Sequence, residues 1–248
     1  MQDVCQSSRQ SASGFAQANV LYRHVGQQLL QHLEPINIKP DTILDISCGA
    51  LGSPLTACFP EATVTHVDLG FETLKHNIKS VALNRINAKA CKLSFAESQF
   101  DLVIANLMPH WLDNLSAWLM EMQRVLRING LLMFSYYGPD TLNEVVTSQL
   151  GCYDLHTMGD ALVRAAFNDP VLDVGRFIVD YDDYADLLED LQANGEHNLF
   201  VLSAPPKGNL EVTYEIIYAH AWKLEQPMTS KIDQDGMVRI SPEQIRYR

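Results

Sequence analysis

Two acids occupy positions where a side chain could hold a ligand. The run Thr42-Ile43-Leu44-Asp45 ends in an acid and breaks into the small-residue turn Ile46-Ser47-Cys48-Gly49-Ala50-Leu51-Gly52. A second run, Thr63-Val64-Thr65-His66-Val67-Asp68-Leu69, ends in another acid. Strand, turn, helix, strand, acid is how an α/β protein carries a nucleoside-bearing cofactor above the carboxyl ends of its strands. Ser47, Gly49 and Gly52 imitate a dinucleotide loop with its first glycine replaced, but a carboxylate fixed at Asp45 would repel a pyrophosphate. S-adenosylmethionine has no phosphate and carries an ammonium and a sulfonium, so Asp45 suits it better. Asp68 would then accept from both ribose hydroxyls.

These acids need a sheet to position them. Phe15, Val20, Leu21, Val25, Leu29, Leu30 and Leu33 recur at helical spacing before Pro35. Strands are expected at about 42–47 and 63–68, with a weaker one near 87–91. A helix should fill the fifties, with Pro54 in its first turn, and another the seventies. Residues 100–106 are apolar without alternation, as in a strand buried on both faces. A helix over 113–127, capped by Asp113 or Asn114, presents Leu115, Leu119, Met122, Val125 and Leu126, and Leu131–Tyr137 follows as a strand. Later elements are helices at 160–167 and 181–192 and strands at 171–179 and 210–219. This alternation specifies an α/β fold with a doubly wound, mostly parallel seven-stranded sheet, and an insertion near 180–209 before the last strand that could cover the site. The expected organisation is one domain: an N-terminal helix at 15–34, a cofactor core at 41–137, substrate-side elements and last strands at 138–224, and a tail at 225–248.

Composition narrows the function classes. The chain has 248 residues, 47% hydrophobic and 19% charged, within the range of an ordinary globular domain. Five cysteines without paired spacing and a start lacking a signal-peptide pattern point to the cytoplasm, and the histidines do not have zinc-site spacing. No run is apolar enough to predict a membrane span. A net charge of −12 argues against nucleic-acid binding. The charge is uneven: Lys75, Lys79, Arg85, Lys89 and Lys92 lie in a stretch without acids, whereas 177–206 is acidic and has no Lys or Arg. The basic stretch is a candidate docking edge for an acidic partner.

The chain resembles the class I S-adenosylmethionine-dependent methyltransferases through Leu44–Gly49, Val67-Asp68-Leu69, Phe100-Asp101-Leu102-Val103, Asn106-Leu107, Trp111 and Arg124-Val125-Leu126-Arg127 with Gly130. More narrowly it resembles the BioC family, which methylates malonyl-acyl carrier protein at the start of biotin synthesis. That likeness rests on Tyr137–Glu144, Met158–Ala165, Asp169–Asp173, Leu187–Leu191 and Val212–Trp222. The resemblance implies an O-methyltransferase acting on the free carboxylate of malonyl-acyl carrier protein or malonyl-CoA. It implies a cofactor site at Asp45, Ser47, Gly49, Asp68, Leu69 and Asn106. The substrate candidates beyond the strand ends are His110, Trp111, Tyr136 and Tyr137, of which one tyrosine should face the pocket, together with Arg164.

Departures from the family pattern predict a weakened cofactor site. Ser47 and Leu51 replace two loop glycines, and Lys89 and Cys91 stand where acids are usual. Phe15 replaces a tyrosine. Leu51 should either push its side chain toward the methionine end of the cofactor or strain the backbone. The alternatives are a non-catalytic binding or assembly module with the same fold, and a relative of different chemistry such as the arginine hydroxylase-like assembly factors of respiratory complex I.

Overall fold

The structure, a computed structural model, describes residues 20–46, 51–68, 84–87, 92–108, 112, 114–194, 196–203 and 208–225; of Gly52, Ser53, Asp68 and 84–87 it describes the backbone alone. Nine strands occur among these residues: β1 (Thr42–Asp45), β2 (Thr63–Asp68), β3 (Asn84–Asn87), β4 (Phe100–Ala105), β5 (Leu126–Tyr137), β6 (Val146–Gln149), β7 (Asn168–Tyr181), β8 (Phe200–Leu202) and β9 (Leu210–Lys223). The helices are α1 (Val20–Gln31), α2 (Gly52–Cys58), α3 (Leu115–Val125), α4 (Leu155–Arg164) and α5 (Tyr184–Ala193).

Seven strands form one sheet in the order β3-β2-β1-β4-β5-β9-β7. The pairs from β3 to β5 are parallel, while β9 runs antiparallel to both β5 and β7. The order reverses between β1 and β4, where a doubly wound sheet opens a crevice beyond its strand ends. The expected doubly wound α/β sheet is therefore present, with β9 threaded between β5 and the edge strand β7.

Alternation along the strands divides the core in two. Ile43, Val64, Leu102 and Ile104 face Tyr22, Val25 and Leu29 of α1, Leu55 of α2 and Leu187 and Leu191 of α5. Leu44, Val103, Leu132 and Phe134 face Trp118, Leu119 and Met122 of α3 and Met158 and Leu162 of α4. Each fully buried aliphatic side chain contributes about 1.5–3 kcal/mol, so both faces are strongly held.

Several boundaries differ from the sequence expectation. In α1 the inward face is Tyr22, Val25, Gly26, Leu29 and Leu30, and Val20 is 69% exposed. The strand expected near 87–91 is β3, four residues paired along β2. Asn114 is the cap of α3, accepting from the Ala117 amide. Helix α4 begins before the expected 160 because Asp154 caps it, accepting from Thr157. Strand β5 begins at Leu126 through a register break against β4, with Asn129 at φ 63°. The unexpected β6 and β8 pair with each other, placing β8 with α5 in the segment between β7 and β9. The helix expected in the seventies lies outside the described residues.

Many of the distinctive sequence segments are structural ties. Arg127 donates to both Asp101 oxygens, at 2.8 and 2.9 Å, and Thr42 donates to Asp101 Oδ2 at 2.8 Å, joining β1, β4 and β5. Burial pushes the Asp101 carboxyl up, but these hydrogen bonds outweigh it and hold the group below its ordinary value. Arg124 bonds Glu121 and the carbonyls of Phe95 and Leu93. At the exit of β5, Asp140 N donates to Glu215 Oε2 and Thr141 Oγ1 to the Glu215 carbonyl. Gly138 belongs here because a β-carbon would collide with the Glu215 side chain.

Candidate active site

The carboxyl ends of β1 and β4 meet beneath α1. Asp45, the last residue of β1, is fully buried and lies opposite His66 in the parallel register with β2. Asp45 Oδ2 is 2.7 Å from His66 Nδ1. Because a carboxylate can only accept, the ring donates from Nδ1. His66 Nε2 is also buried and has no hydrogen-bond partner.

Across the switch point, Asn106 follows β4. Its Nδ2 donates to the Tyr22 carbonyl at 2.9 Å, and its Oδ1 accepts from Ser135 Oγ at 2.9 Å. Ser135 Oγ in turn accepts from the Leu107 amide. Asn106 thus fastens α1 onto the ends of β4 and β5. Both atoms of its amide are engaged with the protein itself.

Of the two outcomes expected at Leu51, the structure excludes the strained backbone. The residue's φ of −94° and ψ of −14° are ordinary helical values, so no backbone strain arises. Its side chain is buried in the core against α1, where a β-carbon on Gly26 would come within 2.8 Å of Leu51 Cδ2 and 3.2 Å of Asn106 Nδ2. The missing loop glycine is therefore matched by a glycine in the facing helix, which makes room for the leucine.

Three substrate candidates, Tyr136, Tyr137 and Arg164, lie among the described residues. Both tyrosines are fully buried, on opposite faces of β5. Tyr137 donates to Glu196 Oε1 at 2.9 Å, so its hydroxyl is spent within the protein. Tyr136 stacks on Phe134, and its hydroxyl has no hydrogen-bond partner. Arg164 is 69% exposed on α4 and lies 3.8 Å from Asp160 one turn earlier, as a surface ion pair. Asp68 ends β2 as expected, but its side chain is outside the description, as are Ser47, Gly49, Leu69, His110 and Trp111. Phe15, Lys75, Lys79, Lys89 and Cys91 are likewise outside it, and of the basic stretch Lys92 is exposed.

The residue that sequence reasoning missed most completely is Glu196. It belongs to the acidic stretch 177–206, yet it is buried and accepts from Tyr22 at 2.6 Å as well as from Tyr137. Burial drives its carboxyl up to about 7, the two tyrosine hydroxyls pull it down, and the Asp190 charge adds to the rise. Burial likewise holds the Tyr137 hydroxyl well above its ordinary value. Glu196 thus joins α1, the end of β5 and the inserted segment. His66 was missed too, although it shares the inward face of β2 with Val64 and is two residues from Asp68.

A parallel sheet reversing at β1/β4, with a buried acid at that reversal, is the architecture of the class I methyltransferases. Residues 44–134 match the family described as a methyltransferase domain. The chain is 33% identical to a malonyl-[acyl-carrier protein] O-methyltransferase of Methylovorus sp. over 99% of its own length and 94% of that protein. A second so named, from Laribacter hongkongensis, is 34% identical over 91% and 90%. Among solved structures, a putative methyltransferase of Bacillus halodurans superposes with a TM-score of 0.58 at 16% identity, over 80% of this chain and 98% of that one; this likeness concerns the fold. The chain belongs to the malonyl-[acyl-carrier protein] O-methyltransferase family of S-adenosylmethionine-dependent enzymes, and it is a methyltransferase.

Proposed function

We propose that the chain works as one domain that transfers a methyl group from S-adenosylmethionine to the free carboxylate of a malonyl thioester, carried by acyl carrier protein or CoA, in biotin synthesis. The observation that carries this reading is the extent of the match: relatives with that activity in their names align over nearly the whole chain, including the segments beyond the cofactor core.

The residues at the crevice suit the donor. In this reading Asp45 supplies a buried carboxylate for its ammonium group, and Asp68, the last residue of β2, accepts from the ribose. Leu51 packs under α1 beside Asn106. When bound, the donor would supply an electrophilic methyl group, which a carboxylate oxygen takes as the carbon–sulfur bond breaks and S-adenosylhomocysteine leaves as the neutral thioether. A malonyl carboxylate is already ionised near neutral pH, so the protein needs no general base. Its task is to position the carboxylate and exclude water. Asn106, Tyr22, Tyr137 and Glu196 serve that task by clamping α1 and the inserted segment over the strand ends.

The test pairs calorimetry with a product assay. Purified protein should bind S-adenosylmethionine in the micromolar range and convert malonyl-acyl carrier protein to its methyl ester, read by mass spectrometry. No binding at millimolar donor refutes the cofactor assignment. Binding without ester formation from either the carrier-protein or the CoA thioester refutes the substrate.

A further inference from the structure

His66 has no role in the reading above, yet the geometry gives it one. The β1/β2 register sets its side chain beside that of Asp45, at 2.7 Å, with both residues sealed from solvent. With Nδ1 donating to the carboxylate, Nε2 is left buried without a partner. Buried polar atoms are normally satisfied, and one left unsatisfied carries an uncompensated cost.

We propose that His66 is a positioning residue of the methyl-donor site, holding the Asp45 carboxylate in the orientation that receives the donor's ammonium group. The inference rests on the donor reading of the preceding subsection. A charge-assisted hydrogen bond to Oδ2 restricts rotation of the carboxylate about its last side-chain torsion, which is otherwise broad. The consequence falls on the amino-acid end of the ligand and spares the nucleoside.

Calorimetry with two ligands separates this role from a general structural one. S-adenosylhomocysteine and 5′-methylthioadenosine share the nucleoside, but only the first carries the amino-acid group. His66→Ala should bind S-adenosylhomocysteine about tenfold more weakly than the unaltered protein, with binding of 5′-methylthioadenosine unchanged. His66→Asn, whose amide N–H replaces that of Nδ1, should recover most of the loss. Equal losses for both ligands overturn the proposal, as does a His66→Asn protein as weak toward S-adenosylhomocysteine as His66→Ala. An unaltered protein that binds neither ligand removes the donor reading and the proposal with it, a result visible before any substitution is made.

Discussion

Replacing Glu196 with glutamine isolates the energetics of one buried carboxylate. Folding moves this group from its ordinary 4.5 up to about 7, chiefly through burial, against the pull of the Tyr22 and Tyr137 hydroxyls. Between those values the native protein keeps a proton that the unfolded chain has released. Native stability therefore falls as pH rises from about 4.5 to about 7 and levels off above. At about 1.4 kcal/mol for each pH unit, the difference amounts to about 3 kcal/mol.

Glutamine keeps an oxygen to accept from both tyrosines but cannot ionise, so its own contribution does not depend on pH. The assay is urea unfolding of both proteins at half-unit steps from pH 4.5 to 8.5. The difference between the two stabilities is plotted, so that the titration of Asp101 and every other shared group cancels. Glu196→Gln should gain on the unaltered protein by about 3 kcal/mol across the range, whatever fixed offset the amide introduces. A difference that stays flat, or that runs the other way, would falsify the assignment of a sealed carboxylate. Glu196→Ala should behave differently again: it removes the carboxylate that two buried tyrosine hydroxyls bond, at about 1–3 kcal/mol each.

Other substitutions test the remaining placements. Tyr136→Phe removes a buried hydroxyl that has no partner, and it should leave the melting temperature unchanged or raise it; a clear fall would mean the hydroxyl has a structural bond. Leu51→Gly restores a loop glycine but empties the space against Gly26, and should cost about 2–5 kcal/mol in chemical denaturation with no gain in donor affinity. Arg164→Ala removes an exposed pair with Asp160 and should change stability by less than about 0.5 kcal/mol, with KM for the malonyl thioester unaltered; a large rise in KM would return Arg164 to the site. Arg127→Ala strips Asp101 of two hydrogen bonds and should lower stability by roughly 1–3 kcal/mol at pH 7. Because Asp101 is held below its ordinary value, that loss should shrink as pH falls through the carboxylate range, which urea unfolding at pH 3–4 would show.

How far the chain could be read without its structure follows from the range of the interactions involved. The strands β1, β2, β4 and β5 are buried apolar runs ending in turns, and such runs declare themselves locally. Strands β6 and β8 do not, since four and three residues form an element only by finding each other. Helix α4 buries only Met158 and Leu162, too few to signal a start at Leu155. Asp45 was visible because a strand-end acid has a local signature. His66 was one of eight dispersed histidines, and only the register of two parallel strands turns a separation of 21 residues into a hydrogen bond.

Glu196 shows the same logic at greater range. Its partners lie 174 and 59 residues away, and its neighbours Asp182, Asp183, Asp186 and Glu189 are exposed as their composition suggests. Nothing in the run distinguishes the acid that turns inward. The indication lay in its partner: Tyr22 sits in phase with Val25, Leu29 and Leu30 on the inward face of α1, and a tyrosine placed in a core must direct its hydroxyl to an acceptor. On that argument the acceptor demanded by Tyr22 is what draws the inserted segment over the sheet, and the clamp on the strand ends follows from satisfying one buried hydroxyl.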